Sequence, residues 1–291
     1  MSKRSRLTKV LMEVLWVRRS SGLGALVVVI VVAAAVFAPW VTPYSPAEQN
    51  LLNRFSPPTA EHWFGTDNFG RDLFTRVVYG ARISLAVGVV SVLIAVAVGG
   101  FLGLLSGFLG GLVDRIINFF VEIIMAFPLL LLAIAVLAAL GPGIGNVMIA
   151  IGISSVPLFA RVVRAETRAL RERDFITAAT SLGASSMRLL LKHITPNVIA
   201  SLVVLASTRI ATAMLAEAGL SFLGIGIRPP TASWGVMVAD GRVFLERAPW
   251  LALIPGAAVM VTVLAFNLVG DGLRDALDVR SGSGGGAKNN R

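Results

Sequence analysis

The chain has 291 residues, of which 56% are hydrophobic and only 14% are charged, and its formal net charge is +10. Soluble domains carry about 25% charged residues, so the composition excludes a soluble enzyme of ordinary surface. The apolar content is too high for a disordered chain. The absence of Cys excludes disulfides, thiol nucleophiles and Cys-based metal sites. The composition therefore indicates a membrane protein.

Six segments are long and apolar enough for the roughly 20-residue length of a transmembrane helix. They cover residues 22–41, 83–105, 117–140, 144–163, 196–216 and 251–270. Gly141, Pro142 and Gly143 separate the third segment from the fourth, since Gly and Pro end helices. A cleaved signal peptide fits the first segment poorly because the apolar run is too long. The sequence therefore predicts an all-α membrane protein with six transmembrane helices.

The same pattern divides the chain into regions. Residues 1–21 form a basic N-terminal segment, 22–41 the first transmembrane helix and 42–81 a proline-rich loop with a short helix near residues 72–79. Residues 82–280 form a five-helix core. Residues 281–291 are rich in Gly and Ser, which predicts a flexible tail.

Orientation follows from the basic residues. Most of the 26 Lys and Arg residues lie in the N-terminal segment, in the stretch 161–196 and in the tail. An even number of spans places these regions on one side, and basic loops are typical of the cytoplasmic side. Both termini are therefore predicted to be cytoplasmic, with loops 42–81 and 221–250 outside. This distribution accounts for the positive charge without a nucleic-acid partner.

Motifs for chemistry are missing from the sequence. It contains no P-loop and no H-E-x-x-H, and His62 and His193 fall in different loops. No series of ionisable residues runs through the spans as a proton relay would. The sequence predicts no enzyme, no cofactor and no metal site in this chain, but a passive or partner-driven membrane component.

One basic loop carries a recognisable spacing. Ala178 and Ala179 form a small, smooth patch on a short predicted helix, Gly183 supplies a turn, and Pro196 opens the next span as a first-turn proline. Taken alone, this pattern favours an ordinary connecting helix with Ala chosen for helix propensity.

In its wider context, this loop resembles the EAA motif of permease subunits of bacterial ATP-binding-cassette (ABC) importers. Thr177 stands where that motif has Glu, and Thr195 stands where it has Leu. The resemblance implies a cytoplasmic coupling helix near 174–185, between spans 4 and 5, that contacts the ATPase. The residues implied in coupling are Phe175, Thr177, Ala178, Ala179, Leu182, Gly183 and Pro196.

Four further blocks, at residues 62–72, 79–85, 217–226 and 267–278, resemble the C-type permease subunit of dipeptide and oligopeptide ABC importers. The resemblance covers about residues 22–280. It implies the type I ABC importer permease fold, in the bacterial cytoplasmic membrane. It also implies half of a peptide path, completed by a homologous second permease.

The same resemblance implies ATPase subunits that bind ATP and Mg²⁺, an extracytoplasmic substrate-binding protein and surrounding membrane lipid. Nickel importers share the family, so nickel or another small solute stays open as the substrate. A channel or secondary carrier that works without ATPase partners is one alternative from another class, and an assembly or scaffold protein with no path of its own is a second.

Three charges qualify as pathway or ion-pair residues: Arg209, Glu217 and Glu122. A charged side chain inside the membrane is energetically costly, so its presence indicates a functional role. For Arg209, a structural ion pair is equally compatible with the sequence. Eight residues of helix separate Arg209 from Glu217 by about 12 Å, so a direct pair between them is not expected.

Two glycine-containing patterns predict structure rather than chemistry. The stretch containing Asp67, Arg71 and Asp72 predicts a turn-rich loop with a local ion pair, and docking of the substrate-binding protein on the whole loop stays open. Gly99 and Gly103 begin a four-residue repeat, continued at Gly107, that predicts close helix packing, either within this subunit or against the partner permease.

Overall fold

The computed structural model describes residues 19–282, which are helical with connecting loops. The helices are α1 Arg19–Val36, α2 Leu73–Leu109, α3 Gly111–Met125, α4 Leu129–Leu140, α5 Ile144–Arg171, α6 Asp174–Ser181, α7 Thr195–Phe222, α8 Trp234–Gly241 and α9 Trp250–Gly282. Shorter helical pieces are Ala38–Val41, Leu51–Asn53, Ser186–Arg188, the π-helical turn Leu189–Ile194 and Arg242–Phe244. Residues 1–18 of the N-terminal segment and residues 283–291 of the tail lie outside the described residues, whereas residues 19–21 begin α1 and residues 281 and 282 end α9.

Four described helices are long and apolar enough to cross a membrane: α2, α5, α9 from Trp250 to Ala276, and the continuous helix Ser186–Phe222 that ends as α7. The bent pair α3–α4 makes a fifth span if it is counted as one. The remaining predicted span corresponds to the apolar part of α1, Ser20–Val36, which has only 17 residues.

The third predicted span, at 117–140, is not one continuous helix. In the structure α3 and α4 meet at an angle of 93° across a short break. Pro128 sits at that break with extended backbone. A proline has no N–H for the helix ladder and disfavours helical backbone at the residue before it, which favours a break at this position.

The second span also differs from its prediction. Helix α2 begins at Leu73 rather than at residue 83, and the short helix expected near 72–79 is its first two turns. Asp72 fixes this start, because its carboxylate accepts a hydrogen bond of 2.8 Å from the Thr75 N–H. The connection that we call the N-terminal loop therefore covers residues 42–72 rather than 42–81.

Helices α2 and α5 pack backbone to backbone along the glycine repeat, as predicted. A Cβ added at Gly99, Gly103 or Gly107 would lie 2.6–2.7 Å from successive carbonyl oxygens of α5. This approach is possible only without side chains, and it shows that the repeat packs two helices of the same subunit.

Two hydrophobic clusters organise the two ends of the molecule. One joins α1, α8 and α9 to α2 and α7, through residues such as Leu73, Trp234 and Leu251. The N-terminal loop and α8 lie at this end, which we call the loop end. The other cluster fills the space between α2, α4, α5 and α7 and reaches Ile176 of α6. We call that opposite end the α6 end.

Candidate functional site

Helix α6 is fixed to the body of the protein along one edge. The Ile176 side chain is only 4% exposed and belongs to the same cluster as Leu189 and Ile194 of the following π-helical turn. Phe175 is half-exposed, whereas Leu182 is 89% exposed. A short helix that is anchored by one residue and presents apolar side chains outward has the character of a docking surface.

The end of α6 is closed by a left-handed turn at Gly183, whose φ is +80°. The Ala184 N–H donates to the Ala179 carbonyl at 3.1 Å, which is the pattern of a glycine-capped helix C-terminus. Thr177 and Ala178 are exposed and Ala179 is half-buried. The structure therefore places the predicted residues 175–183 on one segment, most of which is exposed.

Pro196 occupies the first turn of α7, as predicted. The π-helical turn Leu189–Ile194 joins α7 to the segment that contains α6. The Thr195 hydroxyl donates to the Leu190 carbonyl at 2.8 Å. Helix α7 therefore continues without a break from the turn that packs against α6.

At the opposite end of α7, Glu217 is the centre of a buried hydroxyl cluster. Its side chain is 1% exposed. Its Oε1 accepts hydrogen bonds from Ser221 at 2.9 Å and Ser233 at 2.8 Å, and its Oε2 accepts one from Ser84 at 3.3 Å. One carboxylate thus joins α2, α7 and the start of α8.

Ser233 also caps α8, since its hydroxyl accepts from the Val236 N–H at 3.2 Å. The Trp234 N–H donates to Ser84, and its indole Nε1–H donates to the Val77 carbonyl at 2.8 Å. A Cβ on Gly80 would collide with that indole at 2.9 Å. Helix α8 is therefore held on α2 and α7 by polar contacts with little tolerance for displacement.

A second polar cluster holds the N-terminal loop onto the helices. Asp67 accepts from Arg71 Nε at 2.6 Å and lies 3.5 Å from the Nε of Arg76. Arg76 is 2% exposed and donates to the Pro46 carbonyl at 3.1 Å. Asp240 of α8 lines the same small cavity, and burial raises the pKa of its carboxyl despite the nearby guanidinium groups. The predicted local ion pair is confirmed, and Asp240 of α8 lines the cavity beside it.

At the α6 end, Asp114 of α3 forms a two-pronged ion pair with Arg164 of α5. The Nη2 of Arg164 donates to Asp114 Oδ2 at 2.7 Å. The Ser106 hydroxyl donates to the other carboxylate oxygen, Oδ1. This contact ties the bent pair α3–α4 to the α2–α5 unit.

The three candidate pathway charges do not converge. Glu217 is occupied by the serine cluster, and within residues 19–282 Arg209 has no carboxylate at ion-pair distance. Glu122 is exposed on α3, near enough to Arg164 to act on its charge. The expectation that Arg209 and Glu217 do not pair is confirmed.

Sequence reasoning missed the partners of these charges. Ser221 follows Glu217 by four residues, a spacing that brings side chains together on a helix, so this partner had a signal. Ser84 and Ser233 are far from Glu217 in the chain, and no sequence spacing indicates them.

The described residues contain no group of three or more His, Cys, Asp or Glu side chains that could hold a metal ion. The structure thus has an exposed apolar segment, α6, at one end of a helical membrane protein. At the other end is the hydrogen-bonded cluster of helices around Glu217. Helix α7 joins the two.

Comparison with known proteins agrees with this arrangement. Residues 99–282 match the model of the binding-protein-dependent transport system inner membrane component. The chain belongs to this family. Residues 18–58 match the N-terminal TM domain of oligopeptide transport permease C. The protein is the permease subunit of an ABC importer, and the resemblance read from its sequence is confirmed.

Among curated relatives, the dipeptide transport system permease protein DppC of Alkalihalophilus pseudofirmus is 48% identical over 88% of this chain and 84% of its own length. A putative peptide transport system permease protein of Brucella suis is 47% identical over 90% and 88%. The glutathione transport system permease protein GsiD of Escherichia coli is 49% identical over 87% and 84%.

Solved structures support the fold. An inward-facing structure of the MetNI methionine ABC transporter matches with a TM-score of 0.56 at 20% identity, covering 69% of this chain and 96% of its own. An amino acid ABC transporter crystallised with histidines matches with a TM-score of 0.54 at 20% identity, covering 68% and 92%. The predicted all-α importer permease fold is confirmed.

Proposed function

We propose that this permease carries peptides inward as half of a translocation path, with α6 receiving the movement of ATPase subunits. The observation that carries the proposal is the α6 segment itself. It is anchored by Ile176, capped at Gly183 and apolar on its exposed side. Peptide transport is favoured over nickel because the relatives described above are named for dipeptide, peptide and glutathione transport.

In this proposal the permease breaks no bond. ATP and Mg²⁺ are bound by the ATPase subunits, a homologous permease completes the path, and a binding protein delivers substrate to the loop end. The basic segments favour a position of both termini and α6 on the cytoplasmic side of the bacterial membrane. ATP binding drives transport only if the ATPases bind one permease conformation more tightly than the other.

Arg209 is the side chain in this chain best suited to receive a peptide carboxylate. It lies in the middle of α7, is half-buried, and has no described carboxylate partner. A guanidinium forms two parallel hydrogen bonds with a carboxylate, which a lysine cannot reproduce. The alternative is that Arg209 pairs with a carboxylate of the second permease instead of a peptide. In that case Arg209→Met should disrupt assembly rather than substrate binding.

The test of α6 uses Leu182→Glu in the complete importer. Because Leu182 is 89% exposed, its replacement leaves the permease folded but places a desolvated charge against any apolar partner. We expect the ATPase subunits to be lost during purification and peptide uptake to cease. Leu52→Glu is the matched control, since Leu52 is 97% exposed at the loop end, and it retains the ATPases.

Retention of the ATPases by Leu182→Glu would contradict the proposed docking surface. A partner-independent carrier is tested separately, by replacing the catalytic carboxylate of the ATPase subunit. Uptake that survives this change favours the carrier, whereas its loss supports the ATP-driven importer.

A further inference from the structure

Arg82 of α2 lies between two cavities at the surface of the subunit. On one side is a groove of about 440 Å³ between α1, α2 and α9, lined by Val32, Val36, Ala86, Val90 and Phe266 together with Arg82. On the other side is a cavity of about 450 Å³ beneath the N-terminal loop, which Arg82 shares with Tyr79 and Thr231. Arg82 therefore lines both the apolar groove and the cavity that contains the hydroxyl-bearing residues Tyr79 and Thr231.

The position of the groove matches one leaflet of a bilayer. Arg82 is the last charged residue before the uncharged stretch 83–113, so it marks the boundary of the hydrocarbon region at the loop end. Val90 lies about 12 Å further along the helix, at 1.5 Å per residue. The groove thus runs from the boundary into the membrane, in the direction of an acyl chain.

The charge of Arg82 is uncompensated within the described residues. Its guanidinium lies over the Tyr79 ring at 5.8 Å, and no described carboxylate lies within ion-pair distance. An exposed guanidinium at a membrane boundary favours a phosphate, with which it forms charge-assisted hydrogen bonds. The hydroxyls of Tyr79 and Thr231 offer further donors to polar groups in the second cavity.

We propose that this site binds a glycerophospholipid from the leaflet at the loop end. One acyl chain fills the groove between α1, α2 and α9, the phosphate pairs with Arg82, and the headgroup lies in the cavity with Tyr79 and Thr231. The charge at the mouth distinguishes this occupant from an apolar helix of another subunit, which would leave the guanidinium buried without an anion.

The test measures lipid retention by native mass spectrometry of the complete detergent-purified importer titrated with phosphatidylglycerol. We expect Arg82→Ala to weaken binding about tenfold, the loss of one charge-assisted contact. Arg82→Lys should retain most of the affinity. Arg54→Ala is the matched control, because Arg54 is also exposed and lies over an aromatic ring at 5.7 Å, and it should bind lipid as the wild type does.

A diacylglycerol with the same chains should not displace the phospholipid, because it lacks the phosphate. Ala86→Trp, which fills the groove, should abolish retention while the importer stays assembled. Equal affinity of the wild type and Arg82→Ala would overturn the proposal. So would an Ala86→Trp variant that dissociates the two permeases yet keeps its lipid, because the groove would then be a protein interface.

Discussion

Replacement of Glu217 tests whether the hydroxyl cluster holds α8 in place. Glu217→Ala removes the acceptor of the Ser221 and Ser233 hydroxyls, both of which donate to Oε1. Each buried donor left without a partner costs about 1–3 kcal/mol. Because removal of a buried charge offsets part of this cost, we expect a net destabilisation of about 3 kcal/mol.

Glu217→Gln separates hydrogen bonding from charge. The amide oxygen can replace Oε1 and keep both serine bonds, and the amide NH₂ can replace Oε2 and donate to the Ser84 hydroxyl, now 3.3 Å away. This variant should therefore lose less than about 1 kcal/mol. Glu246→Ala is the control for loss of a carboxylate, since Glu246 is exposed.

The assay is thermal unfolding of the purified importer. At about 2–4 °C per kcal/mol for chains of this size, Glu217→Ala should lower the Tm by about 6–12 °C, and Glu217→Gln should lie near the wild type and Glu246→Ala. If Glu217→Gln unfolds as early as Glu217→Ala, charge rather than acceptor geometry stabilises the cluster. If Glu217→Ala matches Glu246→Ala, the cluster does not hold α8.

Two other variants test the packing and the charge of the permease. Gly103→Leu should cost about 3 kcal/mol, because a Cβ there lies 2.6 Å from the Ala160 carbonyl; the Tm should fall well below that of Gly219→Ala, where a Cβ meets nothing within 4 Å. Burial raises the pKa of Asp240 despite Arg76, so its contribution to stability is complete below its ordinary pKa of about 3.9 and is lost as pH rises through the raised value. Asp240→Asn should therefore gain stability relative to the wild type between pH 4 and 7, and a Tm difference that does not change with pH would contradict this.

Features that depend on local spacing were predictable from the sequence. The glycine repeat, the first-turn proline at Pro196, the turn at Gly183 and the ion pair within residues 67–71 all involve neighbours in the chain or one helix face. The position of α6 was predictable for a different reason, because the spacing of its small residues resembles a known motif.

The bend between α3 and α4 and the early start of α2 were not predicted, for a common reason. Hydropathy reports how much apolar surface a segment has, but not where its helix begins or turns. Pro128 lies within an apolar run that hydropathy alone joins into one span. Leu73 begins a helix in a stretch whose charges favour a loop when the sequence is considered alone. In the structure those charges are buried against the N-terminal loop rather than solvated, so they are compatible with a helix.

One continuous helix connects α6 with the Glu217 cluster. Helical backbone continues from Ser186 to Phe222, which is about 54 Å at 1.5 Å per residue. Its first turns pack against Ile176 of α6, and its last turns carry Glu217. A rigid helix transmits displacement along its length, whereas a side-chain contact can break or re-form. A displacement of α6 carried along this helix would therefore act on the three hydrogen bonds that Glu217 accepts from Ser84, Ser221 and Ser233, beside α8.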